Sequence, residues 1–220
     1  MSEKTKDDVM EKQLKGVEFF AGSRSIGKAA ESLGMKVFSV DWHPYPDIDF
    51  VGDVEFMSIK DVPFIPDWGW FSPDCTTYSI AACSTHRNNS IEPKSDYAFK
   101  CDRVNQHFIS MINEWLNLNP NFIFYIENPR GMLRKMPFMQ GFKRHTIWYC
   151  QYGDDRAKPT DIWTNNENWN PRPMCKNGNP NCNHERAPRG SKTGTQGKKG
   201  SYNRSIIPNE LCIEVLTTIK

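Results

Sequence analysis

The run Asn121-Phe-Ile-Phe-Tyr-Ile126 is almost unbroken in its apolar character. A strand with one wet face alternates; a strand buried on both faces does not, and both faces are covered mainly in parallel sheets flanked by helices. Trp68-Gly-Trp-Phe71 reads the same way and stops at Pro73. Between the two runs, Tyr97 to Leu118 carries Phe99, Val104, Phe108, Met111, Ile112 and Trp115 at helical spacing, and Pro120 ends that helix. Earlier strands are expected at Val17–Phe20, Met35–Val40 and Asp49–Val51, with a helix over Lys28–Leu33. His145–Tyr152 is expected to form a hairpin with Asp161–Thr164, and Pro208–Thr217 to form a closing helix with Pro at its start. This alternation predicts an α/β fold, Rossmann-like, with a mostly parallel sheet and an antiparallel hairpin near its C-terminal end. There is no internal repeat.

At 220 residues the chain suits one well-buried domain, or one domain with a small appendage. The net charge of +2 excludes a polycation, so any nucleic-acid binding must come from local patches. Met1 to Lys15 reads as a solvated lead-in without the apolar core of a signal peptide. No run approaches the roughly 20 apolar residues of a membrane span. These features predict an intracellular, cytoplasmic protein. Its seven cysteines are then thiols or metal ligands rather than a disulfide frame.

The chemistry-bearing residues follow the strands. The first strand runs into Ala21-Gly-Ser-Arg-Ser-Ile-Gly27, where Gly22 and Gly27 allow a tight turn and the helix start offers free N–H groups to a ligand. Asp41, about 20 residues on, stands where a carboxylate can accept both hydroxyls of an adenosine ribose, or can cap the turn before His43. Asp53 follows the third strand and can reach an adenine amino group or serve its own turn. Cys75 lies just past the Trp68–Phe71 strand, and ligands of open α/β sheets bind at the carboxyl ends of strands. There a thiol can face a cleft as a nucleophile, or fill a gap in the core. Glu127 is delivered by the next strand, and Arg156 and Lys158 by the loop inside the hairpin. A soft nucleophile, a carboxyl group and two cations around one cleft suit addition to a polarised ring.

Together these residues resemble the DNA cytosine-C5 methyltransferases, and most closely the short, phage-type members. Phe20-Ala-Gly-Ser-Arg-Ser-Ile-Gly27 is similar to the family's cofactor motif, Ser72-Pro-Asp-Cys-Thr-Thr-Tyr-Ser79 to its nucleophile loop, Ile126-Glu-Asn-Pro129 to its Glu-Asn-Val motif, and Tyr152-Gly153 with Arg156 and Lys158 to its Tyr-Gly…Arg-x-Arg segment. The four motifs stand in the family's order over residues 17–165. The resemblance implies the class I S-adenosylmethionine-dependent methyltransferase fold and methylation of cytosine C5 in DNA. S-adenosylmethionine would lie against Phe20, Ala21, Gly22, Ser23, Ser25, Ile26 and Gly27. Asp41 would hold the ribose and Asp53 the adenine, with Trp42, Val54 and Pro73 also lining the site. Cys75 would add to C6, Glu127 would bind the N3 and N4 edge, and Arg156 or Lys158 would hold O2 or a nearby phosphate. The cytosine would have to leave the base stack, and the polar Ser79–Ser95 stretch is expected to be a mobile loop that closes over it.

The chain also departs from the family. Asp74 replaces the proline before the nucleophile, and an acid beside a thiol raises its pKa. Pro129 stands for valine, Lys158 for a second arginine, and the glutamine preceding the arginine pair is missing. Only about forty polar residues lie where members that read a DNA sequence carry a large recognition module. Specificity would then be short, or supplied by a protein partner; a free nucleotide, RNA or an altered cofactor is an alternative substrate class, and a non-catalytic binding module a further one.

That polar stretch divides the chain into a core (1–165), a small basic insertion (166–205) and a C-terminal helix (206–220). Cys175, Cys182 and His184 put three soft ligands within ten positions, as in a structural Zn²⁺ knuckle, with Cys150, Cys101 or His145 available as a fourth; free thiols in a loop are the alternative. His184 to Arg204 holds six Lys or Arg against one acid, fit to follow a phosphate backbone or simply to be solvated. Trp163 and Trp169 can stack on bases or pack on the hairpin.

Overall fold

The structure, a computed structural model, describes residues 12–176, 178–185 and 200–219. The lead-in over 1–11 and the stretch 186–199 of the basic run lie outside the described residues. In chain order the strands are β1 (Lys15–Phe19), β2 (Lys36–Asp41), β3 (Phe50–Val51), β4 (Trp68–Phe71), β5 (Arg87–Asn88), β6 (Glu92–Pro93), β7 (Ile123–Pro129), β8 (Arg144–Trp148) and β9 (Pro159–Thr164). The helices are α1 (Ser25–Ser32), α2 (Cys83–His86), α3 (Asp96–Leu118), α4 (Ser201–Ser205) and α5 (Asn209–Thr217).

Seven strands form one sheet in the order β3-β2-β1-β4-β7-β9-β8, and β5 and β6 make a separate hairpin. The pairs from β3 through β7 are parallel, while β9 is antiparallel to both β7 and β8. This is the Rossmann-like, mostly parallel α/β sheet with an antiparallel hairpin expected from the sequence. The hairpin's second strand is inserted between β7 and β8, so the first strand of the pair forms the sheet edge. No helix among the described residues is long and apolar enough to cross a membrane.

Alternation along the strands fills two cores. Val17, Phe19, Phe71, Phe124 and Ile126 face α3, where Phe71 stacks on Phe108 with ring centroids 5.3 Å apart. Trp68, Trp70, Tyr125 and Ile162 face the opposite side and pack with α1 and α5. The indole of Trp68 lies across Gly16 on β1, where a Cβ would come within 2.0 Å of the ring. Each fully buried ring removes about 150–250 Å² from water, worth roughly 4–6 kcal/mol before the entropy of ordering is counted.

Several expectations change. α1 begins at Ser25 rather than Lys28, so the glycine turn is shorter. β7 continues through Glu127, Asn128 and Pro129, because β9 supplies a partner for each of them. Trp163 and Trp169 are buried, Trp169 against Tyr125 and His145, so neither presents a face to a base. Ser79–Ser95 is not a free loop: it contains α2 and the β5–β6 hairpin. Arg87 anchors it, donating to the carbonyls of Thr77 and Ile91 and to both oxygens of Asp102, with its guanidinium 4.3 Å from the Tyr78 ring. A buried charge with such partners fixes the segment to α3.

Candidate active site

Three adjacent parallel strands end in line. Phe19 of β1 pairs with Phe71 of β4, and Phe71 with Ile126 of β7. The glycine turn, the Cys75 loop and Glu127 therefore emerge side by side on one rim.

The glycine turn is braced by acids bound to backbone N–H groups. Phe20, Gly22 and Arg24 have φ values of 58°, 49° and 55°, so the chain turns left-handed at every second residue. Such alternation brings N–H groups toward a common concave side. Glu18, buried in β1, accepts from the amides of Ile26 and Gly27 at 3.2 and 3.0 Å, in the first turn of α1. Burial raises its carboxyl to about 7, against the lowering effects of Gly27 and Arg24. Asp41 accepts from Gly22 N and from His43 N, both at 2.9 Å. Trp42, next to it, is 75% exposed. Asp53 caps the short turn Val54–Phe56 and pairs with Lys100 of α3 at 2.5 Å. Beyond this turn, Ser205 of α4 lies where a Cβ on Gly22 would meet its Oγ at 3.2 Å, and Ile207 N donates to Ser25 Oγ. The stretch from α4 to α5 thus closes over the glycine turn.

Cys75 is half-buried, at the start of the turn Thr76–Tyr78. Asn128 on β7 donates to the carbonyl of Pro73 at 2.9 Å, and Gly131 passes so close that a Cβ there would sit 2.4 Å from the Tyr78 carbonyl. The loop is thereby tied to the strand that bears Glu127. Asp74 accepts from Thr76 N and the Tyr97 hydroxyl. Burial, then the charges of Asp74 and Glu127, push the Cys75 thiol up to about 11, with Lys158 pulling the other way.

Glu127 points to the α5 side of the sheet and accepts from the Tyr149 hydroxyl at 2.9 Å. Lys158 Nζ lies 3.9 Å from Glu127 Oε1, 4.4 Å above the Tyr149 ring, and donates to the Arg204 carbonyl at 3.1 Å. Burial lowers the Lys158 pKa, while Glu127 opposes the shift. Arg156 is equally buried, bound through Nε and Nη2 to Asp154 and through Nη2 to the Ile206 carbonyl. Its buried Nη1 has no partner among the described residues. Burial disfavours an ionised Asp154, but the hydrogen bonds from Arg156 outweigh that and bring its carboxyl down to about 2. An open groove of about 490 Å³ lies beside this loop, but Asp154, Asp155 and Glu210 line it, a charge unsuited to phosphates.

Cys175, Cys182 and His184 come together, and the fourth member of the cluster is Cys150, not Cys101 or His145; their ligand atoms lie within 4.8 Å of one another.

Tyr149, Arg87, Glu18 and Arg204 were not singled out in the sequence. A signal existed for Glu18, a lone acid inside an apolar strand, and for Tyr149, which shares a strand run with other aromatics. None existed for the carbonyl of Arg204, which acts through its backbone.

No protein-family model matches the chain, and no curated protein matches it. Solved structures do resemble it. They include the Entamoeba histolytica methyltransferase EhMeth (15% identity, TM-score 0.49, 70% of this chain and 53% of that one). The S. pombe Dnmt2 methyltransferase is similar at 12% identity and a TM-score of 0.48, over 70% of this chain and 49% of that one. A Spodoptera frugiperda DNMT2 mutant is similar at 15% identity and a TM-score of 0.43, over 71% and 52%. This chain spans about half the length of these three structures.

Proposed function

We propose that the chain transfers a methyl group from S-adenosylmethionine to C5 of a cytosine in DNA, through a covalent bond between Cys75 and C6. The observation that carries this reading is the alignment of the glycine turn, Cys75 and Glu127 at the ends of three neighbouring strands. The residues present suit the cofactor. Gly22 keeps a bare Cα on a left-handed turn, each Asp41 oxygen retains a lone pair beyond its backbone bond, and Trp42 offers an exposed ring.

The cofactor, when bound, supplies an electrophilic methyl. The protein's part is to make C5 nucleophilic. Cys75, as thiolate, forms the S–C6 bond, and the C5–C6 π electrons move into the ring toward C5 and N3. Glu127 holds the N3 and N4 edge, oriented by the Tyr149 hydroxyl, so less negative charge builds on the ring. Lys158 stands 3.9 Å from Glu127 and over the Tyr149 ring, and Arg156 Nη1, which has no partner among the described residues, is a donor for O2 or a phosphate. After methylation, loss of the C5 proton to a base re-forms the double bond and expels the Cys75 thiolate. With its thiol near 11, Cys75 is almost wholly protonated at neutral pH, so substrate binding must draw the proton away.

DNA carrying 5-fluorocytosine tests the covalent step. Fluorine takes the place of the proton that must leave, so the adduct should persist under denaturing conditions with the native protein and be missing with Cys75→Ala. Absence of an adduct from the native protein, with cofactor bound, contradicts the mechanism.

The same chemistry on a free nucleotide or RNA is a second reading. It is favoured by residues 165–176, whose Trp169 is buried in the α5-side core instead of in a separate base-reading module.

A further inference from the structure

We propose that Cys150, Cys175, Cys182 and His184 bind one Zn²⁺ in a tetrahedral three-sulfur, one-nitrogen site, which fastens residues 173–185 to the loop that carries Arg156 and Lys158.

The donor set is that of a closed structural zinc site, four soft ligands with no carboxylate or water needed. Its geometry is near the requirement. Zn–S bonds of about 2.3 Å and Zn–N bonds of about 2.0–2.1 Å place tetrahedral ligand atoms roughly 3.5–3.8 Å apart. His184 Nδ1 lies 3.6 Å from Cys175 Sγ and 3.3 Å from Cys182 Sγ, and no pair in the cluster exceeds 4.8 Å. Asn179 Nδ2 points at Cys175 Sγ from 3.5 Å, the N–H···S contact that steadies a metal-bound thiolate. The turns that set this spacing are built locally: Asn179 N donates to the Lys176 carbonyl, and Cys182 N to that of Asn179.

The ligands are also divided in a way that gives the metal work to do. Three come from a stretch in which Cys175 itself is the only buried apolar side chain among the described residues of 173–185, too little to hold it by packing. The fourth, Cys150, sits in the short turn Tyr149–Tyr152, next to the tyrosine that orients Glu127. Just beyond His184, Glu185 N donates to the Asp155 carbonyl at 2.8 Å, and Glu185 forms a β-bridge with Arg156. A zinc ion here would close a ring through Cys150, the Asp154–Lys158 loop and Glu185. It would hold the backbone of Arg156 through Glu185, while the Arg156 side chain binds the Ile206 carbonyl.

Metal analysis tests the site without reference to methyl transfer, so its failure and that of the catalytic reading are separable. Protein purified under reducing conditions without chelator should carry one zinc per chain. Cys182→Ser, at a half-exposed position, and Cys150→Ser should each lower zinc affinity at least a hundredfold in a competition titration. Removing the metal from the native chain should speed amide exchange at Glu185 at least tenfold. Native protein with reduced thiols that takes up no stoichiometric Zn²⁺ overturns the proposal. So does Cys150→Ser with unchanged zinc affinity, which would exclude the link to the catalytic loop.

Discussion

The two halves of the sheet hold their polar groups by opposite means. On the β1–β2 side, Glu18 and Asp41 bind backbone amides, and both the acids and their partners come from residues 18–43. On the β4–β7–β9 side the groups come from separated stretches: Cys75, Glu127, Tyr149, Lys158 and the Arg204 carbonyl. The first half is a preformed cradle whose shape is local. The second is an assembled cluster in which the charges of a buried lysine and a carboxylate act in opposite directions on the Cys75 thiol. The cradle suits a role in binding, where rigidity counts, and the cluster a role in chemistry, where a proton must move.

The sharpest way to break this contrast is Glu18→Gln. A carboxyl raised from 4.5 to about 7 in the folded protein binds more protons there than in the unfolded chain, so stability falls as pH rises from about 4.5 to about 7 and is flat above. A rise from 4.5 to about 7 corresponds to about 3 kcal/mol. The difference in unfolding free energy between native protein and variant, followed by denaturant titration across that range, should change by this order. A pH-independent difference would mean that Glu18 is ionised throughout.

Next in size, Asp41→Ala removes the acceptor of two backbone amides, leaving Gly22 N without its partner. Cofactor affinity by calorimetry should fall about 10–100-fold, or roughly 1.4–2.8 kcal/mol, while alkylation of Cys75 by iodoacetamide stays unchanged. Slower or faster alkylation would show that the halves are coupled.

Tyr149→Phe acts on the other half alone. Losing the hydroxyl that holds Glu127 should lower kcat about tenfold, as expected for one hydrogen bond of roughly 1–1.5 kcal/mol, with the cofactor Kd unaltered. A change confined to KM would assign Tyr149 to substrate binding instead.

The smallest expected effect is at Asp74→Asn. Its charge helps to raise the Cys75 thiol, so neutralising it should lower that pKa and speed alkylation at pH 8 about two- to tenfold, one pKa unit being tenfold in thiolate. An unchanged rate would leave burial and the charge of Glu127 as the causes.

The same division explains what was legible in the sequence. Strand, glycine turn, helix and following acid lie within some thirty residues, and local pattern placed all of them, apart from the start of α1 at Ser25. Cys75 and Glu127 were legible because apolar runs announce the strands that carry them. Tyr149 was not, because its role depends on β9 slipping between β7 and β8, a pairing no local pattern encodes. The polarity of Ser79–Ser95 predicts a mobile loop, but the segment holds α2 and the β5–β6 hairpin, because polar residues there bind one another instead of water. Arg87 is polar and buried, and only its partners Asp102 and Thr77, from either side in the chain, reveal the clamp. Cys150 has no firm assignment from the sequence for the same reason, since the other members of its cluster lie 25 to 34 residues downstream.

The most direct test of the central claim is nucleoside mass spectrometry after incubating the protein with S-adenosylmethionine and cytosine-rich DNA, single- and double-stranded, beside Cys75→Ala. The native protein should yield 5-methylcytosine and the variant none, at equal cofactor binding. No modified cytosine on either DNA from a native protein that binds the cofactor, or equal yield from Cys75→Ala, would contradict it.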